Sequence, residues 1–176
     1  MIFQLKKTIN KIIKSLSIAY PSISFKLRDI SQNKERLLFN VVSEKGVPEE
    51  ALKQRISRVL DQSFIDNSCV VKAERENFKL SGFVALPTYS RGSTNLQNIY
   101  INQRPVKDKI LIGAIRAAYS DFLAKDRYPA VVLFLECNPK FVDVNVHPSK
   151  LEVRFRKPGV VWGLVISAIR HALAEA

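Results

Sequence analysis

The sequence predicts an α+β fold in which helices pack on one face of a mixed β-sheet. Two observations support this prediction. In some segments apolar residues recur every three or four positions, as in amphipathic helices, and in others at every second position, as in strands. In the second half of the chain these segments follow the order strand–helix–strand–strand–strand–helix, which is typical of α+β or mixed-sheet architectures.

The first half of the chain is predicted to contain two helices and two hairpins. The first helix ends before Pro21 and is amphipathic, so one side of it is expected to pack on a core. Its core-facing residues are Leu5, Ile9, Ile12, Ile13 and Leu16. The elements that follow are a hairpin of strands 22–28 and 36–43, a helix over 48–60, and a hairpin of strands 68–74 and 78–86.

The second half is more strongly patterned. Its predicted elements are a strand over 98–101, a turn over 102–105, a helix over 108–123, strands over 130–136, 141–146 and 150–155, and a helix over 159–174. The strand over 130–136 is almost continuously apolar, as expected for a strand covered on both faces. Pro148 restricts His147 to extended backbone and interrupts sheet pairing, which predicts a tight projection between the last two strands.

Composition excludes several classes of protein. The chain has 176 residues, 47% hydrophobic and 25% charged, as in an average globular domain, and no apolar run approaches the roughly 20 residues that cross a bilayer. No two of the six glycines are separated by a single residue, which excludes a P-loop and a dinucleotide-binding turn. Cys69, Cys137, His147 and His171 match no zinc spacing, so no metal site and no self-contained catalytic centre are expected.

The net charge of +12 is high for this length, and residues 1–45 alone contain nine basic and three acidic residues. One interpretation is a solvated basic surface that aids solubility. The other is a polyanionic partner. Nucleic acid is then favoured over a membrane, because no strongly apolar helical face is expected to remain free for lipid.

A first candidate site lies at the start of the helix over 108–123. Lys107 and Lys109 flank this start, Arg104 precedes it, and Arg116 follows on nearly the same helical face. Cations are mildly unfavourable at a helix N-terminus, so their presence there suggests a bound anion. Alternatively, Asp108 caps the helix and the lysines only point to water.

A second candidate site is the segment His147-Pro148-Ser149-Lys150. A lysine at the exit of a rigid turn is well placed to reach a phosphate on a neighbouring domain as a point charge. In the alternative interpretation Lys150 is an ordinary exposed lysine at a strand end, and His147 and Asn145 have structural roles in the turn.

Three stretches of the chain carry a family resemblance: NIYINQRPVKDKILIGAIRAAY, YPAVVLFLECNP and VDVNVHPSKLEVRF. With them the chain closely resembles the MutL family of DNA mismatch repair proteins. The resemblance implies the ribosomal-protein-like transducer fold of GHKL ATPases, the second domain of the family's N-terminal region. It also implies an N-terminal linking helix over 1–21 and a transducer domain over 22–176, without the ATPase and C-terminal dimerisation domains.

The resemblance also implies roles for individual residues. Lys150 matches the family lysine that contacts the γ-phosphate of ATP in the adjacent domain, with Asn145, His147 and Pro148 supporting its loop. Lys109 matches a basic position implicated in DNA binding, and Lys107, Arg104 and Arg116 extend this surface. The family usually has glycine at the position of Gln103, which puts the shape of that turn in question.

The expected biochemistry follows from the same resemblance. ATP and Mg would be bound by the missing ATPase domain, so this fragment alone is expected to bind no cofactor and to catalyse nothing, whereas the intact protein is expected to be a GHKL-type ATPase. The expected partners are the phosphate backbone of DNA, a mismatch-recognition protein of the MutS type and, in the intact protein, a second copy, but no membrane. The expected location is the bacterial cytoplasm, at the nucleoid.

Two alternatives remain at this point. A gyrase-type transducer domain shares the implied fold, but it normally carries Gln-Thr-Lys where this chain has the segment ending in Lys150. A stand-alone nucleic-acid-binding or ribosome-associated module would use the basic surface without ATP.

Overall fold

The structure, a computed structural model, describes residues 1–176 apart from the side chain of Gln32. Its helices are α1 (Ile2–Ala19), α2 (Pro48–Val59), α3 (Gln62–Asp66), α4 (Lys109–Ala118) and α5 (Pro158–Ala174). Its strands are β1 (Phe25–Asp29), β2 (Arg36–Val41), β3 (Ser68–Arg75), β4 (Phe78–Ala85), β5 (Ser90–Arg91), β6 (Gln97–Ile101), β7 (Arg104–Val106), β8 (Tyr128–Pro129), β9 (Val131–Cys137), β10 (Val142–Asp143) and β11 (Arg154–Phe155). The chain forms two compact units, unit 1 (Met1–Ser63) and unit 2 (Phe64–Ala176).

Unit 1 is organised around one buried cation. Its elements are α1, the antiparallel β1–β2 hairpin and α2, and Arg55 of α2 is 0% exposed. The Arg55 guanidinium donates to five backbone carbonyls, those of Ser17, Tyr20, Pro21, Ile23 and Val42. These carbonyls come from the end of α1, the following turn and the end of β2. Arg55 therefore fixes the chain where Pro21 ends α1.

The predicted core face of α1 is wrong over most of the helix. Leu5 and Ile12 are 59% and 58% exposed, and the stripe that faces inward contains Lys6 and Asn10 instead. Lys6 forms an ion pair with Asp29 at 2.5 Å, and its hydrogen bond is the main reason that the pKa of this carboxyl lies well below its usual range. The sheet of unit 1 has only two strands, so it covers one narrow stripe of α1 and leaves the apolar stripe beside it exposed. The prediction that no strongly apolar helical face remains free is therefore wrong for α1.

Unit 2 contains a five-stranded mixed sheet in the order β3-β4-β9-β6-β7. Its pairs are antiparallel except for β6 and β9, which are parallel. Helices α4 and α5 contact each other, and their apolar sides form the core with one face of the sheet. Core residues include Leu80, Leu111, Ile115, Leu133, Leu135, Leu164 and Val165. The predicted α+β class, with a mixed sheet and helices on one face, is confirmed.

The turn predicted over 102–105 is shorter than expected. Arg104–Val106 forms strand β7, paired with β6, and only Asn102 and Gln103 turn the chain. Both have positive φ, 46° and 66°, which is the conformation of a two-residue type I′ hairpin turn. A non-glycine residue can therefore occupy position 103, at the energetic cost of a left-handed backbone.

The predicted hairpin of strands 141–146 and 150–155 is reduced to the short pair β10–β11. The segment between these strands is irregular because other groups take its backbone hydrogen bonds. The Leu151 carbonyl accepts from the Lys107 N–H at 2.9 Å, and the Val153 N–H faces the Asp108 carboxylate at 3.5 Å. Both partners lie at the start of α4, so this loop is attached to the helix and not to a sheet.

The boundary between the compact units lies at residues 63 and 64. The linking helix over 1–21 and the transducer domain over 22–176 stay predictions. Eleven of the fifteen large apolar side chains described as exposed belong to unit 1. Among the described residues, no helix has both the length and the apolar character needed to cross a bilayer.

Candidate functional site

The segment around Lys150 is a compact, exposed turn. The Lys150 N–H donates to the His147 carbonyl at 2.9 Å, and Lys150 itself has a φ of 53°, in the left-handed region. Ser149 contacts the Nδ1 atom of the His147 ring through its hydroxyl at 2.8 Å and its N–H at 3.2 Å. The His147 ring therefore stabilises the turn, and the side chains of residues 147–150 are exposed.

The Lys150 ammonium is free. No described side chain or carbonyl hydrogen-bonds or pairs with it, and its position at the tip of the loop leaves it exposed. Asn145 supports the loop through its backbone, since its N–H donates to the Asp143 carboxylate at 2.9 Å. An unpaired ammonium on a hydrogen-bonded turn can bind an external anion without first breaking an internal ion pair.

Asp108 caps α4. It is 3% exposed, and its carboxylate accepts hydrogen bonds from the backbone N–H groups of Ile110 at 3.0 Å and Leu111 at 3.1 Å. The capping interpretation of this segment is therefore correct. Because Asp108 occupies these N–H groups, an anion bound here would contact the exposed ammoniums of Lys107 and Lys109, not the helix terminus.

The two candidate sites are neighbours in space. The contacts of Lys107 with Leu151 and of Asp108 with Val153 hold the start of α4 against residues 151–153, which directly follow Lys150. Lys109 also approaches Glu152 at 3.9 Å, but its side chain is 86% exposed, so solvent screens this pair. Lys107, Lys109 and Lys150 thus belong to one basic region, which we call the lysine cluster.

Two other predicted residues lie apart from the lysine cluster. Arg104 is half-buried in β7. Arg116 is about 10 Å further along α4 than Lys109, where its guanidinium donates to the Lys125 carbonyl and lies 5.8 Å from the centre of the Tyr128 ring. Arg116 is exposed, so it extends the basic face of α4 towards the C-terminal end of the helix.

One aromatic residue on this surface was not predicted. Trp162 of α5 is 40% exposed, and its indole lies against Gly113 in the middle of α4. A Cβ atom at position 113 would lie only 3.0 Å from Cζ3 of the indole. The sequence does contain a signal for this contact, because Lys109, Gly113 and Arg116 share one helical face and the glycine leaves a gap between the two cations.

The described residues contain no group of three or more His, Cys, Asp or Glu side chains that could hold a metal ion. The thiols of Cys69 and Cys137 are half-buried, and burial raises the pKa of each. Neither thiol is therefore an activated nucleophile at neutral pH. The surface described above presents cations, which suit an anion, and an aromatic ring, which suits a planar apolar group.

Comparison with known sequences identifies one family. Residues 56–174, more than half of the chain, match the model described as DNA mismatch repair protein, C-terminal domain. The chain is 47% identical over 165 residues to the DNA mismatch repair protein MutL of Paramagnetospirillum magneticum, covering 94% of this chain and 26% of that protein. It is 44% identical over 168 residues to the MutL protein of Brucella anthropi, covering 96% of this chain and 26% of that protein. The chain thus spans about a quarter of the length of these relatives.

Comparison with solved structures supports the fold. The crystal structure of the N-terminal domain of a DNA repair protein matches with a TM-score of 0.77 and 22% identity, over 98% of this chain and 54% of that one. The B-subunit of DNA gyrase from Myxococcus xanthus matches with a TM-score of 0.52 and 10% identity, over 97% of this chain and 49% of that one. At these identities the similarity concerns the fold alone.

Proposed function

This chain belongs to the MutL family of DNA mismatch repair proteins, and from that premise we propose that residues 22–176 form its transducer domain. It couples ATP binding and hydrolysis in an adjacent GHKL domain to the binding of DNA. The observation that carries this proposal is the free Lys150 ammonium on a loop that is attached to the start of α4. A gyrase-type domain is disfavoured because the matching family model and the relatives at 44–47% identity are mismatch repair proteins, whereas the similarity to gyrase concerns only the fold.

Lys150 is the residue proposed to contact the γ-phosphate of ATP held by the adjacent domain. An exposed, unpaired ammonium fits this ligand, since it can approach a phosphate without losing an internal partner. ATP supplies the bond that is hydrolysed, and Mg²⁺ would be held with it outside this chain. Lys150 contributes positive charge near the phosphate oxygens, where charge increases as the bond breaks.

The attachment of the loop to α4 suggests how the two activities are coupled. Movement of Lys150 towards a nucleotide pulls on Leu151 and Val153, whose backbone partners are Lys107 and Asp108. Those partners precede Lys109, the residue proposed to contact DNA. A nucleotide-dependent shift of the loop would therefore be transmitted to the lysine cluster over a few backbone hydrogen bonds.

Substitution of Lys150 in the intact protein tests the nucleotide role. We expect Lys150→Ala to lower the ATPase kcat at least tenfold with a smaller change in KM, because one charged contact to the transferred phosphate is worth several kcal/mol. Lys125→Ala makes the same charge change at another exposed site and is the matched control. Equal rates in the two variants would exclude the proposed role of Lys150. The isolated chain should hydrolyse no ATP.

Substitution of Lys109 tests the DNA role. We expect Lys109→Glu to weaken binding to DNA of any sequence, because a cation that contacts phosphate adds affinity without reading bases. Affinity should fall with salt with a log–log slope of about 0.7–0.9 for each phosphate contacted, and the slope should be smaller in the variant. Lys53→Glu makes the same charge change at an exposed position of α2 and is the control. A binding affinity that does not depend on salt would contradict the proposal.

The proposed partners of the intact protein are DNA, through its phosphate backbone, a mismatch-recognition protein of the MutS type and a second copy of the same protein. Among the described residues, the candidate surface for DNA consists of Lys107 and Lys109, with Arg104 in β7 and Arg116 further along α4. The supporting role proposed for Asn145, His147 and Pro148 is to hold the Lys150 turn.

A further inference from the structure

We infer that Trp162 is a base-stacking residue of the DNA-binding surface on the basic face of α4, a proposal that rests on the proposed DNA-binding function. The proposed function assigns only phosphate contacts to this surface. An indole on the same surface adds a contact to a base, which single strands offer and intact duplexes do not, since their bases are already stacked.

The first argument is the position of the indole. Its six-membered ring lies on the backbone of α4 at Gly113, where any side chain would crowd it. The glycine thus allows the edge of the ring that carries Cζ3 and Cη2 to contact α4, while Trp162 as a whole is 40% exposed. A large aromatic ring held in this way loses little conformational freedom when a base stacks on it.

The second argument is the charge on either side of the ring. Lys109 lies one turn before Gly113, and Arg116 lies about one turn after it, on the same face of α4. The two cations are about 10 Å apart along the axis of α4. Aromatic rings beside cations are typical of surfaces that bind single strands without sequence preference.

The carboxylates on this surface are few. Glu152 lies 3.9 Å from the Lys109 ammonium, and Asp121 pairs with Arg170 beyond the C-terminal end of α4. Neither contact involves Arg116 or the indole. The surface around Trp162 therefore keeps a net positive charge. This charge favours a polyanion over a protein partner that has few acidic residues.

The experiment uses the indole itself, since Trp162 is the only tryptophan of the chain. The 176-residue chain is titrated with single-stranded oligothymidine and with an abasic oligonucleotide of the same length, and its tryptophan fluorescence is recorded. We expect quenching by oligothymidine and little by the abasic strand. Trp162→Leu should lower the affinity for oligothymidine about tenfold and leave the affinity for the abasic strand unchanged.

Two controls keep the outcome clear. Trp162→Tyr keeps an aromatic ring and should retain most of the affinity, so that loss in the Leu variant is not mistaken for unfolding. Phe122→Leu changes another exposed aromatic residue, 51% exposed, and should have no effect. If both strands bind with normal affinity and the tryptophan fluorescence does not change, the stacking proposal is wrong and the phosphate-binding proposal stands. The exposed indole would then be a surface for contact with another protein. If neither strand binds, the DNA-binding function itself is wrong.

Discussion

Replacing Asp108 by alanine is expected to lower the free energy of unfolding by about 2–4 kcal/mol, because this carboxylate is buried and accepts two hydrogen bonds. Loss of a solvated N-cap, whose N–H groups water can then reach, costs about 1 kcal/mol. The N–H groups of Ile110 and Leu111 would also lose their partner, and a buried donor left unpaired costs a further 1–3 kcal/mol or so. The longer contact to Val153, at 3.5 Å, adds little to this value.

The measurement is urea unfolding of the chain, followed by circular dichroism. Asp108→Asn keeps an oxygen acceptor and loses only the charge at the helix N-terminus, so it should cost less than about 1 kcal/mol. Asp126→Ala removes an exposed carboxylate outside α4 and should change stability by less than about 0.5 kcal/mol.

The same variant tests the link between the candidate sites. If Asp108 holds the Lys150 loop against α4, amide hydrogen exchange of residues 144–153 should accelerate in Asp108→Ala by more than the loss of global stability explains. A stability within 0.5 kcal/mol or so of the unmodified chain, with unchanged exchange in the loop, would refute the reasoning.

Two further predictions concern unit 2. Gln103→Gly should stabilise the fold by about 0.5–1 kcal/mol and so raise the thermal midpoint, since glycine adopts the φ of 66° without the steric cost that glutamine has. Gln103→Ala is the control and should give no such gain. Destabilisation by glycine would show that the glutamine side chain has a role of its own. Tyr119→Phe should cost about 1 kcal/mol near neutral pH, because the buried Tyr119 hydroxyl donates to the Ala85 carbonyl. Burial raises the pKa of Tyr119, so this contribution is complete below the pKa near 10 of the unfolded chain and decreases as the pH rises above it. Unfolding measured between pH 8 and pH 11 or so should therefore show a steeper loss for the unmodified chain than for the variant, and parallel curves would contradict this.

The elements of unit 2 could be predicted closely because their periodicity is a local property. The hairpin β3–β4 and the helix α5 lie within a residue or two of the predicted bounds. Strand β9, predicted from an unbroken apolar run, is central in the sheet and buried over residues 131–135. Side chains repeat every second residue in a strand and every 3.6 residues in a helix, so the pattern of burial is visible in the sequence.

The errors occur where burial depends on a partner distant in sequence. Leu5 and Ile12 have the spacing of a core face, but the small β1–β2 hairpin packs beside them and leaves them exposed. Residues 150–153 alternate like a strand, but Lys107 and Asp108 hold this segment through its backbone. Periodicity shows that a face is apolar and does not show which surface covers it.

The sequence by itself determined most of the longer helices and strands of unit 2, the excess of positive charge, and the motif around Lys150 that leads to the MutL family. All of these depend on the order of residues along short segments. Only the tertiary structure decided that the Lys150 loop lies against the start of α4, that Asp108 joins the two, and that Trp162 fills the gap at Gly113. Each of these is a contact between segments more than forty residues apart. The contacts of the loop with α4 form because buried backbone groups need partners, and that of Trp162 forms because apolar surface packs together out of water.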